Sequence, residues 1–155
     1  MRDFFAPVYE LFTSLYGDEL AQHLYGWDGV GYDAISLYVS IGIYVVISSV
    51  ILASLFYVIL NKPNFSRWYH WLLILFINFI ISWFLGFWLP YLDYDTGNIA
   101  ADIATSIGTN NIIMFGLVNG ILSIGWFIIF SGLCRLLNRI VPSIAYNTKD
   151  TPFPR

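Results

Sequence analysis

Charged residues interrupt this chain only at long intervals. Between them lie three stretches free of Asp, Glu, Lys, Arg and His, running from Ser36 to Leu60, Trp71 to Leu92 and Ile112 to Cys134. A helix needs roughly 20 residues to cross about 30 Å of hydrocarbon, so each stretch predicts a membrane-spanning helix.

The N-terminal segment follows a different pattern. Val8, Phe12, Tyr16, Leu20 and Leu24 recur every fourth residue, Leu11 and Leu15 widen the stripe, and Glu10, Thr13, Ser14, Gly17 and Asp18 fall largely on the other side. That spacing predicts an amphipathic helix. Gly17 followed by Asp18 equally allows two short helices, about 3–16 and 18–25, with the glycine as C-cap and the aspartate as N-cap. Glu10, Asp18 and Glu19 fall within one helix length. At about 2.5–3.5 kcal/mol per acid near mid-bilayer they argue against a fourth span. The run Gly26 to Gly31 reads as a loop into the first span. A start that is acidic and amphipathic, rather than basic and then apolar, predicts no cleaved signal peptide.

Composition agrees with lipid as the solvent. Of 155 residues, 58% are hydrophobic, 19% aromatic and only 11% charged, against about 25% charged in soluble domains. Trp and Tyr collect where hydrocarbon meets headgroups. The single cysteine, Cys134, excludes an internal disulfide and any multi-cysteine metal site; palmitoylation aside, it reads as a buried or lipid-facing thiol.

Charge placement orients the spans. Lys62 and Arg67 lie between the first two spans and Arg135, Arg139, Lys149 and Arg155 follow the third, leaving only Arg2 of the seven basic residues elsewhere. Basic loops stay cytoplasmic, so the 61–70 loop and the tail are expected inside, and the N-terminus and the 93–111 loop outside. Nine of the ten acids fall on that outer side, Asp150 being the exception. The fold class expected is therefore an all-α integral membrane protein with three transmembrane helices, N-out and C-in, preceded by an amphipathic N-terminal helix. Its parts are an outer-face segment 1–34, a three-span domain 35–134 and a cytoplasmic tail 135–155, which is helical at first and breaks at Pro142. A cytoplasmic (inner) membrane is the expected location. The acidic outer face would repel nucleic acid.

In lipid, helix contacts show as small and polar residues at helical spacing. Asn78, Ser82, Gly86 and Pro90 stand four apart on the second span; Gly116 and Gly120 form a G-x-x-x-G on the third, with Asn119 and Ser123 four apart beside it and Gly125 beyond; Ser36, Ser40, Tyr44 and Ser48 line the first. At about 1.5 Å rise per residue, antiparallel packing of the second and third spans sets Asn78 level with Gly125, Asn119 near Phe84 to Gly86, and Ser82 close to Ser123. Each asparagine is thus expected to face a glycine. These side chains read first as packing contacts within the chain or to a partner, and second as the wall of a water-filled path.

Candidate chemistry is sparse. Ionisable groups within spans would mark ion paths or voltage sensors, and the three stretches hold none. His23 is expected on the surface of its helix and His70 at the inner boundary beside Trp68, Tyr69 and Trp71, so neither suits haem. The Asp93 to Asn98 loop lacks the glycine and glutamate an EF-hand requires at its sixth and twelfth positions, which are Asn98 and Ala104 here. It is expected to end with Asn98 capping a short helix, Ile99 to Ile107, whose isoleucines pack on the bilayer surface or the N-terminal helix. No catalytic, cofactor or metal constellation is visible, and an enzyme is not expected.

Two functions follow. One is a small non-catalytic subunit that packs through its polar helix faces, and docks its acidic N-terminal helix, onto other membrane-protein subunits. The other is a self-associated pore, a small channel or membrane-permeabilising protein with the Ser and Asn stripes toward a shared lumen. Three spans with N-out, C-in topology resemble the general layout of one class of phage holins. The likeness is one of topology, with no motif behind it, and the long acidic N-terminus departs from it.

Overall fold

The computed structural model describes residues 2–32, 36–59 and 68–140. Lys62 and Arg67, and the tail from Val141 on with its expected break at Pro142, lie outside the described residues. The helices in order are α1 (Arg2–Glu10), α2 (Thr13–Tyr16), α3 (Asp18–Tyr25), α4 (Leu37–Ser54), α5 (Trp68–Thr96), α6 (Ala101–Ala104) and α7 (Thr109–Ile140), with a π-helical turn, Leu55–Ile59, continuing α4. Three helices, over Leu37–Tyr57, Trp68–Thr96 and Thr109–Leu137, are long and apolar enough to cross a membrane.

All three begin at or within a few residues of the positions read from the sequence, because loss of charge is a local signal. Helix α5 runs past Leu92 to Thr96. Gly97, at φ 73°, is the terminator: its N–H bonds to the Tyr94 carbonyl and that of Asn98 to the Asp93 carbonyl, the pair of bonds that closes a helix end in a Schellman motif. Asp93 and Asp95 therefore belong to the last helical turn and not to a loop. Asn98 does not cap the next helix. The shorter α6 starts after Ala100, which makes no side-chain cap bond. Ile99, Ile103 and Ile107 are nonetheless all buried, in one cluster with Tyr16, Leu20 and Leu24.

The N-terminal segment forms three short helices. The first break falls at Leu11–Phe12, where the Phe12 N–H bonds to the Tyr9 carbonyl. The second is Gly17, at φ 92° and ψ 147°, which ends α2 and also occupies the N-cap of α3, so that Asp18 is the first residue of that helix. The break at Leu11–Phe12 shifts the phase of the hydrophobic stripe. Tyr16, Leu20 and Leu24 are buried as expected, and Ala6 and Tyr9 join them, but Leu11 and Leu15 are 79% and 56% exposed.

Helix α7 is the centre of the bundle. It packs against α4, α5 and α2, and 44% of its most apolar window is buried, against 17% for α5. One cluster, from Tyr9, Tyr16 and Leu20 through Tyr38 and Ile41 to Phe115 and Val118, fills the end that carries Asp18, Glu19, Asp93 and Asp102, hereafter the acidic end. A smaller one toward the opposite end joins Ala53, Phe56 and Tyr57 to Trp71, Ile74 and Phe127.

Candidate functional site

The polar residues at membrane depth meet in a seam where α4, α5 and α7 touch. Asn78, fully buried on α5, donates from Nδ2 to the Ser123 carbonyl of α7 at 3.1 Å and to Ser49 Oγ of α4 at 3.1 Å. Its Oδ1 lies 3.4 Å from both the Ser48 and Ser49 hydroxyls. One amide thereby ties three helices together. Ser123 Oγ donates to the Gly120 carbonyl of its own helix at 2.6 Å.

Asn119, fully buried on α7, is a second tie. Its Nδ2 donates to the Ser82 carbonyl of α5, and its Oδ1 accepts the Tyr9 hydroxyl of α1 at 2.6 Å. The place of a Cβ on Gly86 is 2.7 Å from Asn119 Cβ, so only glycine admits this asparagine. The Ser82 hydroxyl itself has no partner among the described residues.

Gly116 and Gly120 form the α5–α7 contact within one chain. A Cβ on Gly116 would lie 2.9 Å from the Trp83 carbonyl oxygen, and one on Gly120 would lie 2.8 Å from the Phe79 ring. Gly125 stands apart, with nothing within 4 Å of where its Cβ would be. The expected pairing of Asn78 with Gly125 is therefore replaced. Asn78 reaches the carbonyl of Ser123 instead, because the backbone carbonyls of an α-helix point toward its C-terminus and so toward the level of Gly125.

The first-span stripe is displaced as well. Tyr38, Ile41, Gly42, Val45, Ser49 and Ala53 form the buried face of α4, whereas Tyr44 is 49% exposed and Ser40 and Ser48 are half-buried. Ser48 Oγ bonds to the Val45 carbonyl at 2.9 Å. The signal that finds the true face is the small-residue spacing Gly42, Ser49, Ala53, seven and then four residues apart. Near the opposite end the Trp71 indole N–H donates to Ser131 Oγ at 3.3 Å.

The N-terminal helices complete the seam through tyrosines absent from the sequence-derived set. Tyr9 stacks on Tyr38, ring centroids 5.1 Å apart. The Tyr16 hydroxyl lies 2.8 Å from that of Tyr38 and donates to the Tyr9 carbonyl at 3.0 Å. A phenol has one hydrogen, so Tyr38 is the donor to Tyr16. Phe5 packs against Gly42, its ring occupying the place a Cβ would take.

At the acidic end two contacts tie the N-terminal segment to α5 and α6. His23, which the helical pattern placed on the surface, is buried, with Nε2 3.3 Å from Asp93 Oδ2. Burial holds its pKa below the ordinary 6.5, with Asp93 pulling the other way. The Trp27 indole donates to Asp102 at 3.0 Å. The Asp28 carboxylate accepts the N–H groups of Gly31 and Val30, which lower its pKa and close a tight turn. Among the described residues no group of three His, Cys, Asp or Glu is placed to hold a metal. Comparison with protein-family models, curated proteins and solved structures gives no match, so the seam is read from its own chemistry.

Proposed function

We propose that this protein is a small non-catalytic integral membrane subunit that joins a larger membrane assembly through its apolar flank and its acidic end. The supporting observation is that both buried amides, Asn78 and Asn119, bond entirely within the chain. The polar stripes thus close the bundle on itself, and partner contact falls to other surfaces. Helix α5 offers one, with Phe76 59%, Phe84 48% and Trp88 43% exposed along its length. In the orientation proposed from the basic residues, the acidic end lies outside a cytoplasmic membrane and Arg135 marks the inner side.

A self-associated pore draws less support, since a lumen needs polar side chains free to face water and these amides are engaged with α1, α4, α5 and α7. Extraction in mild detergent, affinity capture and sizing test the proposal. Comigrating membrane proteins are expected. A monomer that copurifies with nothing would sink it, and dye release from vesicles by purified protein would favour the pore.

A further inference from the structure

The contacts of α1 and α2 form a ladder down α7. Asn111 Nδ2 donates to the Tyr16 carbonyl at 2.9 Å; the Phe115 ring lies 5.2 Å from that of Tyr16 and 5.4 Å from that of Tyr9; Tyr9 reaches Asn119; and Phe4 lies 6.2 Å from Trp126. From Asn111 to Trp126 a helix rises roughly 22 Å, about half of a bilayer some 40–45 Å thick with its headgroups. All four of these α7 residues fall within Thr109–Leu137, a helix apolar enough to span. The N-terminal segment therefore descends beside a spanning helix and does not lie across its end.

Its outward side suits such a place. Phe4 54%, Leu11 79% and Leu15 56% are exposed, at least as much as Leu117 40% and Ile121 48% on α7 itself. Backbone groups in hydrocarbon must be satisfied internally, and the break between α1 and α2 carries three such bonds. Phe12 N–H bonds to the Tyr9 carbonyl, Leu15 N–H to the Phe12 carbonyl, and the Thr13 hydroxyl to the Glu10 carbonyl. Glu10, the one acid of α1 whose side chain is described, faces an open groove shared with Thr13, Asp18 and Gln22, which gives its carboxylate a route to water at the acidic end.

We propose that α1 and α2 form a half-spanning element embedded in the leaflet at the acidic end, wedged against α4 and α7, with Phe4, Leu11 and Leu15 against lipid acyl chains. Acyl chains are the occupant because the flank is apolar and continuous in depth with α7. The inference stands apart from any role in an assembly.

The test uses full-length protein in proteoliposomes with Cys134→Ser as background and one spin label each at Leu15→Cys, Leu11→Cys and Phe4→Cys. Leu117→Cys serves as the lipid reference and Val30→Cys, 93% exposed in the loop, as the water reference. Collisions with oxygen report hydrocarbon, and collisions with a nickel chelate report water. Loss of nickel collisions and gain of oxygen collisions are expected to increase from Leu15 through Leu11 to Phe4, with Leu11 near the depth of Leu117 and Phe4 deeper. Equal shallow depth at all positions, as for a helix lying on the surface, or nickel collisions like those at Val30, would overturn the proposal. If Phe4→Cys does not fold, the Leu15 and Leu11 sites alone decide the order.

Discussion

The Tyr9 hydroxyl donates to Asn119 Oδ1 at 2.6 Å across 110 residues of sequence, and the same asparagine donates to the Ser82 carbonyl. A single buried amide thus couples the first helix of the chain to the packing of α5 on α7. Removing the hydroxyl leaves the stacked ring in place and strands an acceptor. Tyr9→Phe is expected to destabilise the fold by about 1–3 kcal/mol, the usual penalty for an unsatisfied buried polar group. Thermal unfolding in detergent measures the loss. A double-mutant cycle with Asn119→Ala should show coupling between the two sites, and strict additivity would mean the bond carries no stability.

Gly86 and Gly125 give a contrast within the same two helices. A methyl on Gly86 meets Asn119 Cβ at 2.7 Å, whereas one on Gly125 meets nothing within 4 Å. Gly86→Ala should cost roughly 1–3 kcal/mol through overpacking. Gly125→Ala should be neutral or gain up to about 1 kcal/mol from helix propensity. Equal effects in a melting assay would contradict the α5–α7 contact described.

Ser48 and Ser49 are neighbours with different duties. Ser49 exchanges its hydroxyl with the Asn78 amide at 3.1 Å, while Ser48 is 2.9 Å from its own helix's Val45 carbonyl and 3.4 Å from Asn78. Ser49→Ala is expected to lose about 0.6–1.7 kcal/mol, the range for polar contacts between membrane helices, and Ser48→Ala less. Steric trapping or denaturant unfolding in micelles ranks them, and the reverse order would refute the assignment.

His23 makes the acidic end sensitive to pH. Its pKa is lowered in the folded state, chiefly by burial, so the folded protein binds its proton less readily than the unfolded chain. The associated stability is present above the ordinary value of 6.5 and is lost as pH falls below it. Protection factors for amide exchange in α3 should fall on acidification through that range, and His23→Gln should flatten the response. Unchanged pH dependence in the variant would assign the effect to another group.

Much of the seam is legible in the spacing of residues along the chain. Asn119 and Gly86 are brought opposite by two facts the chain states openly: the ends of two uncharged stretches and a constant rise per residue. Asn78, Ser82, Gly116 and Gly120 likewise follow from small and polar residues recurring at helical spacing. Ser49 escapes such a reading because Ser48 continues an uninterrupted four-residue line with Ser40 and Tyr44. That line points away from the neighbours, and spacing alone does not say which face of an apolar helix meets another helix.

Three charge-free helices, their approximate ends, and the antiparallel register of the second on the third follow from the order of residues alone. These are local properties, set by the exclusion of charge from long apolar segments and by helix geometry. Only the tertiary structure decided where the N-terminal helices go. Counting Glu10, Asp18 and Glu19 within one helix length treats the segment as a single rod, but the breaks at Leu11–Phe12 and Gly17 assign Asp18 and Glu19 to α3 and re-phase the apolar stripe. Once the rod is divided, Phe5 can lie on Gly42 and Tyr9 can reach Asn119, contacts that depend on the shape of a groove made by residues far along the chain.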